Sequence, residues 1–258
     1  MQPHATLAAL LEAYRRGEIT REEASSRIEG LRMEQLGEFA RLDHGRAARC
    51  GVPEVILAEG KETRQLTEIV ARTVAAQGRC IVTRLSPEQA DEIRRRCVDE
   101  RYDTDYRETP RALIAFRSPP PEKNGGVVAI LTAGTADLPA AEEARVIAEE
   151  MGCEVRTAYD VGAAGIHRLF PALKSVLDAH VFVVAAGREG TLPAVVAGLV
   201  DRPVVGLPVS SGYGYMGEGR AALASMLQSC SVLAVVNIDA GFTAGAFAAR
   251  IATMAAGG

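Results

Sequence analysis

The sequence is poor in aromatic residues and has no excess of positive charge. It contains no tryptophan, and aromatic residues make up 5% of its 258 residues. We therefore expect Val, Ile, Leu and Ala to fill the core. The formal net charge is −4 at pH 7, and acidic residues flank basic clusters such as residues 94–96. Proteins that bind nucleic acid generally present a basic patch, so this charge pattern argues against a nucleic-acid partner.

The sequence also lacks the residue spacings typical of metal sites and of two common catalytic motifs. Its cysteines are odd in number and contain no CxxC pair, which argues against a disulfide framework or a structural zinc site. We expect most of them to be reduced and buried. The sequence has no His/carboxylate cluster with metal-ligand spacing, no P-loop and no nucleophile elbow. The five cysteines are Cys50, Cys80, Cys97, Cys153 and Cys230.

No apolar run approaches the ~20 residues needed to span a bilayer. The N-terminal region has no basic start followed by an apolar segment and a small-residue cleavage site. These two absences predict a cytoplasmic protein without a membrane partner.

The C-terminal half reads as five strand–helix units in succession. The strand-forming segments are residues 127–137, 154–162, 180–190, 203–215 and 232–242. Each begins with an almost continuous apolar run, which is typical of parallel strands covered by helices on both faces. Each then ends in small and polar residues. Ligands of open parallel α/β sheets bind beyond the carboxyl ends of the strands, so these five ends are the predicted site.

Upstream of this region the sequence predicts a smaller α+β domain. Residues 6–38 have the pattern of a helical hairpin, and Thr20 and Glu23 have the spacing of a capping box. Strands are predicted at 51–60, 79–85 and 111–116, and helices at 61–78 and from 86 to 97. Residues 118–126 contain three successive prolines and no apolar face, as expected of a linker. We therefore divide the chain into domains at 1–117 and 127–258, joined by the linker 118–126.

The first and third strand ends carry features suited to an anionic ligand. Gly134 and Thr135 form a small-residue turn before a helix, where free backbone N–H groups favour an anion such as phosphate. Asp137 follows, either as part of the site or only as a helix cap. At the third strand end, Arg188 and Glu189 are bracketed by Gly187 and Gly190, and glycines let a ligand approach the backbone closely. A solvated ion pair is the alternative interpretation of Arg188 and Glu189.

The fourth and fifth strand ends predict a lid and a polar edge. Pro208, two serines and four glycines suggest a flexible wall, with Tyr213 and Tyr215 able to cover a ring. The fifth end presents Asn237 and Asp239. The Asp239 carboxylate is suited to a ribose, to a cation or to capping the last helix. In the second strand–helix unit of the C-terminal half, His167 is predicted to lie inside the helix, beside Arg168.

Long segments of the chain resemble the LarB family of nickel-pincer cofactor biosynthesis proteins. The similar segments read AGTAD, DVGAAGIHRL, AAGREGTLPAVVAGL, RPVVGLPVSSGYG and LQSCSVLAVVNIDAGFTAG, and upstream DHGRAARCGVPEVILAEGK. The resemblance implies a pyridinium-3,5-biscarboxylic acid mononucleotide synthase. Such an enzyme converts nicotinic acid adenine dinucleotide, CO₂ (or bicarbonate) and water into the biscarboxylated mononucleotide and AMP.

The LarB resemblance also implies that Cys230 is the catalytic nucleophile. From the residues alone, Cys230 would be interpreted as one more buried structural cysteine. The reaction needs a nucleophile that both adds to a pyridinium ring and leaves it, which suits a thiolate. A base must take the ring proton; Glu189 is our first choice, followed by Asp137 and Asp239.

More distantly, the C-terminal half resembles the PurE-like aminoimidazole ribonucleotide carboxylases of purine synthesis. That resemblance implies a flavodoxin-like doubly wound five-stranded sheet and a homo-oligomer, such as an octamer, with active sites at subunit interfaces. The purine enzymes have a Gly-Ser-x-Ser-Asp turn, where this chain keeps Asp137 but lacks both serines. They also have a catalytic histidine after the second strand, where residues 161–165 contain none. These departures argue against the purine reaction.

These resemblances assign the strand ends to substrate binding. We expect no covalently bound cofactor, and magnesium would suit the pyrophosphate although no ligand cluster for it is evident. The alternatives are an aminoimidazole ribonucleotide carboxylase or mutase, and a non-catalytic nucleotide-binding protein. The predicted substrate-binding residues are Gly134, Thr135, Asp160, Gly162, His167, Arg168, Gly187, Arg188, Gly190, Pro208, Ser210, Ser211, Gly212, Tyr213, Asn237 and Asp239.

Overall fold

The computed structural model describes residues 7–257, and the chain forms two compact units. The first unit runs to Tyr106 and includes Leu113–Ser118; the second comprises Arg107–Ala112 and the chain from Pro119 onwards. Residue 6, the predicted start of the helical hairpin, lies outside the described residues. Within the described part of the chain, no helix is long and apolar enough to cross a membrane.

The first unit begins with the predicted helical hairpin, which is shorter than expected. Helices α1 (Leu7–Arg15) and α2 (Arg21–Glu29) are separated by the capping box of Thr20 and Glu23. The prediction of helix up to residue 38 is wrong, because β1 (Glu34–Leu36) pairs antiparallel with β2 (Ala40–Leu42). Leu36 and Leu42 are buried on this two-stranded ribbon, which a single apolar residue per strand does not reveal in sequence.

The rest of the first unit is the predicted α+β arrangement. Its elements are α3 (Arg46–Cys50), β3 (Val55–Leu57), α4 (Thr63–Gln77), β4 (Arg79–Thr83), α5 (Pro87–Asp99), β5 (Asp103–Arg107) and β6 (Ala112–Phe116). The strand order is β3-β4-β6-β5, with β3 parallel and β6 antiparallel to β4. Strand β5 was not predicted, since its sequence DTDYR has no apolar run.

The second unit is the predicted doubly wound sheet. Its strands are β7 (Val127–Thr132), β8 (Glu154–Ala158), β9 (Val181–Ala186), β10 (Val204–Pro208) and β11 (Ala234–Val235). They are all parallel and lie in the order β11-β10-β9-β7-β8, which is flavodoxin-like. The helices between and after them are α6 (Leu138–Glu150), α7 (Leu169–Lys174), α8 (Thr191–Ala197), α9 (Arg220–Leu227) and α10 (Gly241–Ala256).

Two apolar clusters, one on each face of this sheet, form its core. Helices α6 and α10 supply the cluster on one face, and α7, α8 and α9 supply the cluster on the other. Helices α6 and α10 pack closely because two glycines face α6. A Cβ on Gly241 would lie 2.4 Å from the Ala140 oxygen, and one on Gly245 would lie 2.3 Å from the Ala144 oxygen. The chain reverses its winding direction between β7 and β9, so the strand-end crevice opens there.

Candidate functional site

A buried carboxylate lies at the point where the winding direction reverses. Asp137 is 4% exposed and belongs to a 3₁₀ turn between β7 and α6. Its Oδ2 accepts the Gly134 backbone N–H at 2.9 Å, and its Oδ1 accepts the Ser211 hydroxyl at 2.9 Å. The side chain makes no cap hydrogen bond to α6, so its role is not that of a simple helix cap. Burial raises the pKa of Asp137, and the hydrogen bonds from Gly134 and Ser211 oppose that shift.

Glycines allow the ends of β9 and β10 to approach each other around Asp137. A Cβ on Gly187 would lie 2.2 Å from Ser211 Oγ and 3.0 Å from Asp137 Oδ1. A Cβ on Gly212 would lie 2.8 Å from the Gly187 oxygen. Contacts this short are not tolerated, so the glycines at 187 and 212 are required by the packing of the site itself.

The end of β8 joins the same crevice through a residue that the sequence analysis missed. Thr132, the fully buried last residue of β7, accepts the Asp160 N–H through its hydroxyl at 3.0 Å. Asp160 has a φ of +56° and accepts Arg168 Nη1 at 2.5 Å. A Cβ on Gly162 would lie 2.5 Å from the Ala133 oxygen. Thr132 could have been identified from the sequence, because it is a polar residue at the end of an otherwise apolar strand.

The segment containing His167 differs from the prediction. His167 does not lie inside a helix of the α type, but in a 3₁₀ segment (Ala163–Arg168) that is interrupted at Gly165. Its side chain is exposed, ahead of α7. The glycine-rich sequence around 162–165 is the physical reason, because it favours turns over a regular helix.

Arg188 and Tyr213 meet at the mouth of the crevice. Arg188 Nη1 donates to the Tyr213 hydroxyl, and its guanidinium carbon lies 4.4 Å from the centroid of the Tyr213 ring. Arg188 therefore has an aromatic partner, which was not predicted: an anionic ligand was expected, with an ion pair to Glu189 as the alternative. Glu189 is exposed, and its Oε2 accepts the Thr191 hydroxyl at 3.5 Å.

The ends of β10 and β11 are tied together by Asp239. Its Oδ1 accepts the Ser210 N–H at 2.9 Å, and its own N–H donates to the Pro208 oxygen at 2.9 Å. The φ of Asp239 is +54°. Asn237 Oδ1 accepts the Ile238 N–H at 2.9 Å. One Asp239 oxygen is thus already engaged in shaping the loop.

Cys230 lies on the segment between α9 and β11. It is exposed, in contrast to the buried Cys80, Cys97 and Cys153. Helix α9, which precedes this segment, is only eight residues long. The next residue, Ser231, anchors the segment by donating its hydroxyl to the Ala194 oxygen at 2.9 Å.

The structure thus brings most of the predicted residues into one connected edge of the sheet. Gly134, Asp137, Gly187, Ser211 and Gly212 form its centre. Two further groups flank that centre: Asp160, Gly162 and Arg168 on the β8 side, and Pro208, Ser210, Asn237 and Asp239 on the β11 side. Gly190, with a φ of +66°, starts α8, and Thr135 is exposed at the start of the 3₁₀ turn. No hydrogen bond among residues 7–257 joins Cys230 to Asp137 or Glu189.

The donor set does not fit a magnesium ion held by protein side chains. In residues 7–257, no group of three or more His, Cys, Asp and Glu side chains is placed to hold a metal.

The fold and the crevice define a flavodoxin-like α/β protein with a polar strand-end site, preceded by a smaller domain. Comparison with known families agrees: residues 33–115 match the LarB/PurE-like N-terminal domain, and residues 127–257 match AIR carboxylase. The chain belongs to the LarB family, with a PurE-like C-terminal half, and its domains are those of a carboxylase-type enzyme.

Individual relatives show the same division. An uncharacterised protein of Methanocaldococcus jannaschii is 43% identical over 251 residues, covering 95% of this chain and 96% of that protein. The N5-carboxyaminoimidazole ribonucleotide mutase of M. jannaschii is 32% identical over 130 residues, covering 48% of this chain and 78% of that protein. A probable N5-carboxyaminoimidazole ribonucleotide mutase of Methanothermobacter thermautotrophicus is 31% identical over 130 residues, covering 48% of this chain and 37% of that protein.

Proposed function

We propose that this protein is a pyridinium-3,5-biscarboxylic acid mononucleotide synthase. It carboxylates the pyridinium ring of nicotinic acid adenine dinucleotide at C5 and hydrolyses the phosphoanhydride, for nickel-pincer cofactor synthesis. The observation that carries the proposal is the exposed thiol of Cys230, on the segment that leads into β11 of the crevice sheet.

The chemistry explains why a thiol is needed. A pyridinium ring is electron-poor and does not attack CO₂. Addition of the Cys230 thiolate converts it into a neutral dihydropyridine, whose enamine electrons form the bond from C5 to CO₂. Loss of the C5 proton to a base and departure of the thiolate then restore the aromatic cation. Water cleaves the phosphoanhydride, which gives AMP and the biscarboxylated mononucleotide.

The crevice residues are suited to the remaining tasks. The phosphates are assigned to the turn at Gly134 and Thr135, to Arg188 or to the His167–Arg168 pair. Glu189 is the favoured base, because it is exposed and, within residues 7–257, its carboxylate accepts only a long hydrogen bond, from the Thr191 hydroxyl at 3.5 Å. Asp137 is less suited, since both of its oxygens already accept protein donors.

The surroundings of Cys230 support a homo-oligomer in which the thiol meets the crevice of a neighbouring copy. Leu227 is 66% exposed and Val232 is 93% exposed, so apolar side chains flank the thiol on both sides. Exposed apolar groups beside a catalytic residue are expected at a subunit interface. An octamer with interfacial active sites is the assembly we propose, and light scattering with the purified protein measures it.

The proposed reaction is tested by mass spectrometry. The protein is incubated with nicotinic acid adenine dinucleotide and ¹³C-bicarbonate, and we expect a ¹³C-carboxylated mononucleotide together with AMP. Cys230→Ala should abolish the carboxylated product. Cys50→Ala, which removes the other exposed thiol, is the matched control and should retain activity. Full carboxylation by Cys230→Ala would overturn the mechanism.

A second candidate is a mutase acting on an aminoimidazole ribonucleotide, because two relatives of the C-terminal half carry that name. The same assay, run with N5-carboxyaminoimidazole ribonucleotide, decides between the two reactions. We expect no turnover of that substrate, since residues 161–165 contain no histidine.

A further inference from the structure

Arg188 and Tyr213 form a stacked pair between two strand-end loops. Arg188 follows β9 and Tyr213 follows β10, and both side chains are exposed, Tyr213 to 73%. The guanidinium carbon lies 4.4 Å from the ring centroid. One face of an aromatic ring at the crevice mouth is therefore covered by a planar cation.

The loop that carries Tyr213 is fixed at its base and free at its tip. The Ser211 hydroxyl is held by Asp137, and the Glu218 N–H closes the loop by donating to the Gly212 oxygen at 3.1 Å. Gly214 has a φ of +95° and no heavy atom within 4 Å of its Cβ position. Tyr213 follows directly after the fixed residues, so the position of its backbone is set by the site while its ring remains open to a ligand.

A guanidinium and a pyridinium are both planar, delocalised cations, and an aromatic face attracts both for the same electrostatic reason. We propose that the Tyr213 ring is the stacking surface for the pyridinium ring of the substrate. Arg188, displaced from Tyr213, then pairs with the 3-carboxylate of that ring. This inference rests on the proposed function and adds the two residues that select the substrate ring.

Tyr213 and Arg188 each recognise a different property of the ring. The Tyr213 face attracts a charged pyridinium more strongly than a neutral dihydropyridine. Arg188 prefers a carboxylate, as in nicotinic acid, over the neutral amide of nicotinamide, because a guanidinium binds a carboxylate by charge-assisted hydrogen bonds. The pair therefore selects for ring charge and for the carboxylate by independent contacts.

Binding measurements separate the two contacts. In a Cys230→Ala background, where no covalent adduct forms, calorimetry compares four ligands: nicotinic acid adenine dinucleotide, its reduced dihydropyridine form, NAD⁺ and NADH. We expect the oxidised ring to bind about tenfold more tightly than the reduced ring, the ratio that a cation–aromatic contact supports. The acid should likewise bind about tenfold more tightly than the amide.

The variants should remove one preference each. Tyr213→Leu should abolish the preference for the charged ring and keep that for the carboxylate; Arg188→Met should do the reverse. Tyr213→Phe keeps the ring and should behave as the parent. Met216→Leu, on the same loop and exposed, is the matched control and should change neither preference.

Kinetics supply a second readout. Tyr213 holds the charged ground state and not the neutral adduct, so Tyr213→Leu in the Cys230-containing protein should raise KM and kcat together and leave kcat/KM little changed. If the protein turns over the dinucleotide and Tyr213→Leu still prefers the oxidised ring tenfold, the stacking inference is wrong and the proposed function stands. If the parent binds none of the four ligands and makes no product, the proposed function itself is wrong.

Discussion

The hydroxyl of Ser211 lies 2.9 Å from Oδ1 of Asp137, and this hydrogen bond spans the end of an intervening strand. Asp137 follows β7 and Ser211 follows β10, while β9 lies between those strands in the sheet. The bond therefore passes over Gly187 at the end of β9. This contact thus links the end of β7 to the end of β10 across the end of β9.

Removing the Ser211 hydroxyl should destabilise the protein. In Ser211→Ala, Asp137 Oδ1 loses its hydroxyl donor in a buried site, which costs about 1–3 kcal/mol. Urea unfolding followed by circular dichroism measures this free energy. Ser210→Ala is the control, because Ser210 contributes its backbone N–H and not its hydroxyl to Asp239; its effect should stay within about 0.5 kcal/mol. Equal effects of the two substitutions would contradict this account.

Gly187→Ala should disrupt the site more than it disrupts the fold. The added methyl group would lie 2.2 Å from Ser211 Oγ and 3.1 Å from the Val209 oxygen, so the loop after β10 must move. We expect loss of most dinucleotide binding by calorimetry. Gly198→Ala is the matched control, since the closest atom to its methyl group is 3.5 Å away. Parent-like affinity in Gly187→Ala would show that the loop position is not critical.

The pH dependence of stability should change in Asp137→Asn. Burial raises the pKa of Asp137, so its protonated form is favoured in the folded state. The stability that this preference contributes is fully present below the ordinary pKa of about 4 and is lost as pH rises through the raised pKa. The unfolding free energy of the parent minus that of Asp137→Asn should therefore fall as the pH rises above about 4. Denaturant titrations at several pH values measure it; a difference that grows with pH would contradict the raised pKa.

The cysteines should react with iodoacetamide in two classes. Burial raises the pKa of Cys80 to about 12 and that of Cys97 to about 11, so both remain thiols at pH 8 and are also shielded. Mass spectrometry of the native protein should show alkylation of the exposed Cys50 and Cys230 first. Denatured protein, in which all five react, provides the reference. Native-state labelling of Cys80 as fast as Cys230 would show that the core opens readily.

The sequence predicts the main sheet well because its central strands β7, β9 and β10 are apolar and almost fully buried. The apolar runs of β7 and β9 contain Val, Ile, Leu, Phe and Ala, a composition typical of a parallel strand that helices cover on both faces. Strands β1, β2 and β5 could not be found in this way. The first two are three residues long and bury one leucine each, and β5 is polar.

The location of the candidate site could be predicted from the sequence, but the side-chain contacts within it could not. Parallel topology places all five strand ends at one edge, whatever their residues. The contact of Asp137 with Ser211 joins positions 74 residues apart in sequence, and no local pattern encodes it. The pairing of Arg188 with Tyr213 was missed for the same reason, since the neighbouring Glu189 offered a simpler partner.

The shortness of β11 bears on how the thiol can move. This strand pairs with β10 through only Ala234 and Val235, beyond which the Val236 and Asp239 N–H groups bond to Gly206 and Pro208. A segment fastened by so few backbone bonds can open locally without unfolding the sheet, and its amides should exchange with deuterium well before those of β7 and β9. The chain thus carries its exposed thiol next to the least tethered strand of the sheet.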